Sequence, residues 1–221
     1  MFDRPFVLLG GGGHAKVVLD VLHSLGATVR GVCDPALADR QGERWMGIEV
    51  LGDDDRLHAI APAGVYLANG VGMMPGSGLR QRLFEEMTSA GYEFPALIHP
   101  SASVSGKARI EVGAQIMRGS VVQACAEVGC NTIVNSSATV DHDSRIGAHC
   151  HVAPGVIICG DVTVQQGAFI GAGTTVIQEI TVGAGAVVGA GSLLLQDVAG
   201  ASIYHSGRKA RSANRSVSRG T

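Results

Sequence analysis

The sequence predicts two joined units, an α/β front end of Rossmann type and a parallel β-helix built from six-residue repeats. Three observations carry this. From Ile98 an aliphatic residue recurs at every sixth position as far as Leu194, without a break. The 221 residues include 32 Gly but only five Phe, three Tyr and one Trp, while 46% are hydrophobic. Such a core is filled by small and β-branched side chains. Ahead of the repeat, the apolar run Phe6-Val7-Leu8-Leu9 leads into Gly10-Gly11-Gly12-Gly13-His14-Ala15 and then a helical pattern.

In the front end, residues 1–97, Phe6 to Leu9 reads as a buried strand. Val17, Val18, Val21 and Leu22 follow at helical spacing. A second strand is expected from Ala27 to Cys33, ending at Asp34-Pro35, and a third over Gly64 to Leu67, closed by Asn69-Gly70. Ser77 is placed to cap a helix through Leu79, Leu83 and Met87 that stops at Gly91. Strands alternating with helices imply a small parallel sheet. Gly10-x-Gly12-x-x-Ala15 matches the dinucleotide fingerprint, with Asp34 near the place of a ribose-binding acid. Helix N-terminal amides hold phosphate oxygens and glycine permits close approach. A sheet of this length offers half a dinucleotide site, enough for a nucleoside diphosphate. A plain Gly-rich turn closing a strand–helix junction is the other reading.

The repeat unit covers residues 98–199. Four residues after each aliphatic position comes a second small or β-branched residue, such as Ala108, Ala114, Ser120 and Thr132. Neither a helical period nor simple alternation reproduces this. A short strand and a corner fill each unit, three units close a triangular coil, and coils stack about 4.8 Å apart. Residues 200–221 are expected to form a C-terminal tail. It carries Arg208, Lys209, Arg211, Arg215 and Arg219 and no acid after Ser206.

Composition excludes several classes. A net charge of -2 and the apolar content exclude disorder, and a pI near 6.4 gives no nucleic-acid footprint. No apolar run approaches the roughly 18 residues of a membrane span, and the N-terminus does not read as a signal peptide. Five cysteines without a CxxC suggest free thiols in a reducing cytoplasm.

Chemistry concentrates on His142, His149 and His151. His142 lies two positions past the inward Val140, at or near a corner. Asp143 follows directly, able to hold one ring nitrogen while the other takes a substrate proton. One 18-residue coil away stands Gly160, leaving room for a ligand. By spacing alone His142 is a base or an idle surface histidine. Zinc is a competing use of three histidines, but no carboxylate cage adjoins them. Cys150 occupies an inward position and reads as a small hydrophobe.

The combination of strand, Gly-Gly-Gly-Gly-His-Ala-Lys and helix with a hexapeptide repeat carrying Asn135-Ser-Ser-Ala-Thr-Val-Asp-His-Asp143 resembles the nucleotide-sugar acetyltransferases. These are the bacillosamine-pathway and perosamine N-acetyltransferases and the sialic-acid O-acetyltransferase group. The resemblance covers almost the whole chain and implies a left-handed β-helix and a homotrimer in the cytoplasm. It implies His142 as catalytic base with Asp143 raising its basicity, and Asn135 near the sugar amine. His151 and Gly160 are implied to contact acetyl-CoA, with the Gly160 N–H facing the thioester carbonyl. Gly12, Gly13 and His14 match the diphosphate turn, and Asp34-Pro35 lies where base and ribose are read. The activity implied is acetyl-CoA-dependent N-acetylation, without a metal, of the 4-amino group of a UDP- or GDP-linked 4-amino-4,6-dideoxy sugar for surface glycan assembly. The alternatives are O-acetylation of a sugar hydroxyl and a non-catalytic nucleotide-sugar-binding module.

Overall fold

A computed structural model describes residues 2–206 and 208–212. β1 (Phe6–Leu9) is buried at all four positions, as a central strand of a parallel sheet must be. α1 (Gly13–Ser24) buries Ala15, Val18, Leu19 and Leu22, a stripe at helical spacing. It ends where Gly26 turns left-handed (φ +65°) and Ala27 N–H reaches back to Leu22 O. β2 (Val29–Cys33), β3 (Arg44–Trp45), β4 (Ile48–Gly52), α2 (Asp54–His58), β5 (Tyr66–Asn69) and α3 (Leu79–Ser89) complete the unit. The sheet order is β3-β4-β2-β1-β5, parallel except for the β3–β4 edge pair.

Local expectations needed correction here. The second strand starts at Val29 rather than Ala27. The third begins at Tyr66, because Pro62–Gly64 winds into a 3-10 turn first. Ser77 does not cap α3; Gly78 is the N-cap, with no side-chain bond. The β3–β4 hairpin escaped the sequence reading. Its two-residue turn, Met46-Gly47, has both φ values positive, the mirror-image geometry that Asn-Gly or Asp-Gly normally marks. Methionine carries no such mark.

From Leu97 to Leu194 the chain makes seventeen two-residue strands, and the second residue of each is the aliphatic repeat position. Each strand pairs in parallel with the one 18 residues on, as in Val122↔Val140↔Ile158. Three sheets result, forming the faces of a left-handed β-helical prism. The core is Val, Ile and Ala from both inward positions of each unit. Inward hydroxyls are satisfied by corner carbonyls: Ser120 donates to Met117 O, Thr132 to Gly147 O and Ser144 to Cys159 O. The corner has a fixed signature. Every sixth residue from Gly113 to Gly191 has positive φ, whether glycine or, as at Asn131, Ser137, Asp143 and Asp161, not.

The two units share a core. Leu97 and Ile133, on the outer surface of one prism face, pack with Val18, Leu19 and Leu22 of α1. That face, called here the docking face, also holds Gln115, His151 and Phe169. Residues 202–205 and 208–212, expected within a tail, instead form strands at its end. Ser202–His205 pairs parallel to Val187–Val188, and Arg208–Ser212 returns antiparallel. Arg215 and Arg219 lie outside the described residues.

Candidate active site

His142 sits at the corner after the Thr139–Val140 strand, immediately before the left-handed Asp143 (φ +59°). That backbone turn brings the two side chains together, and His142 Nδ1 lies 2.8 Å from Asp143 Oδ2. An ionised carboxylate only accepts, so Nδ1 carries the hydrogen and Nε2 keeps a free lone pair. The Asp143 hydrogen bond first, then the Asp141 charge, and also Asp143 and Asp161, raise the His142 pKa above its usual value. The side chain is 61% exposed, so the ring is open to solvent. Gly160, one coil along, passes beneath it. A Cβ there would stand 2.5 Å from His142 Cε1 and 2.7 Å from Nε2. Among the described residues the Gly160 N–H has no protein acceptor.

His151 belongs to the docking face and is nearly buried. Its Nδ1 is 3.3 Å from Met73 O, a backbone oxygen that can only accept, so Nδ1 is protonated. Its Nε2 then accepts from Asn135 Nδ2 at 3.2 Å, while Asn135 Oδ1 takes the Ser136 N–H. Phe169 lies edge-on to the ring with centroids 5.1 Å apart. Burial first, with nearby Arg80 adding to it against the Met73 bond, pushes the His151 pKa down to about 4. His151 is therefore a neutral, fixed ring. Beside it a cleft of about 260 Å³ opens between the Met73–Gly78 segment and the docking face, lined by Arg80, His149 and Phe169 among others.

The front-end turn has the shape the fingerprint requires. Gly12 is the N-cap of α1 and makes no side-chain cap, so the first helical amides face outward unpaired. Open space surrounds the positions where Gly12 and Gly13 would carry a Cβ. Asp34 is committed to the backbone: Oδ2 accepts from Gly11 N–H at 2.5 Å and Oδ1 from Ala36 N–H at 2.7 Å. It clamps the Gly turn and caps the 3-10 segment Pro35–Arg40, in which Pro35 opens the first turn. His14, the second residue of α1, has its Nε2 2.8 Å from Gln115 Oε1 on the docking face.

The expected residues thus form two groups in one chain. Gly12, Gly13, His14, Asn135 and His151 gather where the front end meets the docking face. His142, Asp143 and Gly160 lie at the far edge of the neighbouring face, beyond the Val121, Thr139 and Ile157 strands. Sequence reasoning missed Gln115, Met73 and Asp161. Only Asp161 left a signal, lying one coil beyond Asp143. Cys150 is an inward core residue whose thiol burial pushes up to about 12. The three repeat histidines do not converge: His149 bonds Asn131, and no His/Cys/Asp/Glu cluster able to hold a metal ion occurs among the described residues.

The front end, residues 6–87, matches the family model described as PglD N-terminal domain. Over the whole chain the fold is similar to PerB from Caulobacter crescentus, solved with CoA and GDP-perosamine. The identity is 34% and the TM-score 0.86, covering 95% of this chain and 98% of that one. The acetyltransferase domain of PglB from Neisseria gonorrhoeae, solved with acetyl coenzyme A, gives 31% identity and a TM-score of 0.86 over 95% and 99%. WeeI from Acinetobacter baumannii shares the fold at 19% identity, with a TM-score of 0.82 over 94% and 99%. With full-length likeness at this identity, and with both motifs of the resemblance present, the protein belongs to the hexapeptide-repeat nucleotide-sugar acetyltransferase family.

Proposed function

We propose that the protein is an acetyl-CoA-dependent N-acetyltransferase acting on the 4-amino group of a UDP- or GDP-linked 4-amino-4,6-dideoxy sugar, with His142 as general base. The observation that carries this is the His142–Asp143 pair stacked over Gly160, which joins a free basic nitrogen, an orienting carboxylate and an unpaired N–H at one corner. The sugar amine attacks the thioester carbonyl carbon and His142 Nε2 takes its proton. The Gly160 N–H stabilises the oxyanion. Collapse breaks the C–S bond, and the proton passes to the departing thiolate, giving CoA and the acetamido sugar. Positioning supplies much of the remaining rate.

Residues 1–97 hold the nucleotide sugar, with the diphosphate on the α1 amides at Gly12 and Gly13 and with His14, Asp34 and Pro35 shaping the turn. Residues 98–199 carry the chemistry. Because His142 and the Asn135–His151 group occupy different edges of the prism, one site uses two subunits. A closed homotrimer with heterologous contacts provides this three times. No helix among the described residues is long and apolar enough to cross a membrane, and we place the enzyme in the cytoplasm, where acetyl-CoA is made.

Thiol release from acetyl-CoA on adding GDP- or UDP-linked amino sugar tests the activity. His142→Ala is expected to lower kcat at least about 100-fold with little loss of ligand affinity. PerB variants with a histidine replaced by Asn or Ala still hold CoA and GDP-perosamine, which supports that expectation. Near wild-type turnover would overturn the assignment. The shared site has its own test. Mixing inactive His142→Ala subunits with subunits inactivated at Gly12 and Gly13 should restore about a quarter of wild-type activity, the chance of a correct neighbour pair in a ring. No recovery in trimers shown to be mixed would place the site within one subunit.

A further inference from the structure

The front-end turn is wired to the β-helix through His14, and the wiring fixes which hydrogens that histidine carries. Gln115 Nε2 donates to Asn69 O at 2.8 Å. A backbone carbonyl only accepts, so the Gln115 amide has one admissible orientation. Its Oε1 must then face His14 Nε2, and that nitrogen must be the protonated one. Burial pushes the His14 pKa down to about 4. The Arg80 guanidinium on α3 and the His151 ring on the docking face add to this, against the Gln115 bond. These partners are held in turn. Arg80 Nη1 donates to Asn69 O and Val71 O, and Nε to Asn131 O. His151 is neutral through its own bonds to Met73 and Asn135. At neutral pH His14 is therefore an uncharged ring with hydrogen on Nε2 and a bare lone pair on Nδ1.

A diphosphate offers only acceptor oxygens, and a second acceptor facing them gains nothing. We propose that Gln115 is a positioning residue that locks His14 as the Nε2–H tautomer, so that His14 Nδ1 accepts from a hydroxyl or N–H of the nucleotide sugar while the diphosphate is left to the α1 amides. The recognition half rests on the reading of residues 12–14 as the substrate turn; the tautomer half does not. Gln115 thereby makes the specificity of the front end depend on a side chain of the β-helix, 101 residues away in sequence.

Nitrogen-15 NMR of histidine-labelled protein without ligand tests the lock. Wild-type His14 should show only the Nε2–H tautomer from pH 5.5 to 8, and Gln115→Leu should show both tautomers. A wild-type ring that is cationic, or protonated on Nδ1 alone, overturns the proposal. Gln115→Glu tests recognition. Its carboxylate draws a second proton onto His14, so the KM for the nucleotide sugar should rise about tenfold between pH 8.5 and 6.5. Over the same range wild type should not change and the KM for acetyl-CoA should hold steady in both. A KM that stays flat in Gln115→Glu while NMR shows His14 charged overturns the acceptor role. Should wild type bind no nucleotide sugar by calorimetry, the substrate reading of the turn fails instead, with the tautomer result still standing.

Discussion

Gly160→Ala separates the catalytic geometry from the fold. A Cβ at residue 160 would lie 2.5 Å from His142 Cε1, 2.7 Å from Nε2 and 3.1 Å from Nδ1, where ordinary contact begins at 3.4 Å. The intruding methyl sits under the ring face, so the imidazole must retreat by about 1 Å to regain van der Waals contact. Moving outward weakens the 2.8 Å bond to Asp143 and carries Nε2 away from the acceptor amine. A displacement of about 1 Å at a reacting group costs about 100-fold, or about 2.7 kcal/mol of barrier. Folding should be spared, because the ring is mostly exposed and Gly160 is not in the left-handed region that disfavours alanine. Its unfolding free energy should stay within about 0.5 kcal/mol of wild type. The assay is the initial rate of thiol release at saturating acceptor, beside a denaturant titration. Gly106→Ala is the control, since Gly106 occupies the same corner three coils earlier with nothing within 4 Å of the added methyl. Wild-type turnover in Gly160→Ala would refute the placement of the reacting nitrogen above this glycine.

Asp143→Asn should move the rising limb of the kcat/KM profile to lower pH. In the proposed mechanism the neutral ring is the base, and the Asp143 carboxylate is the main cause of its raised pKa; an unmoved limb would show that Asp143 does not tune it. Acid should weaken the fold through His14 and His151. Unfolded, each takes a proton near pH 6.5, and folded, not until about 4. The unfolded state thus binds more protons in that window, and stability falls as pH drops through it, by at most about 3 kcal/mol per ring. Equal denaturant midpoints at pH 7 and pH 4.5 would mean that both rings take up protons in the native state.

How much of this was legible follows from the geometry of the repeat. Because each unit is one strand and one corner, the inward aliphatic series names the last residue of every strand from Ile98 to Leu194. The same arithmetic identifies vertical neighbours, but only at multiples of 18 residues, where coils stack. Gly160 was placed correctly beneath His142 for that reason. The left-handed corner was harder to see, since Ser137, Asp143 and His149 adopt it as well as glycine. Front-end boundaries slipped where Pro62 and Gly78 outranked hydrophobic pattern.

Other spacings mislead in this fold. Asn135, His142 and His151 look like one cluster, being seven and nine residues apart. A prism that changes face every six residues keeps Asn135 beside His151 and puts His142 on a different edge. Asp34 has a second task that its position after β2 does not show: its oxygens hold the Gly11 and Ala36 amides. Gln115 could not have been found at all, because its importance comes from α1 docking on a distant face. His142 and His151 therefore stand apart within one chain. A prism has no interior in which to gather a site, so the proposed reaction, with its groups on two edges, is assigned to a site shared between two copies.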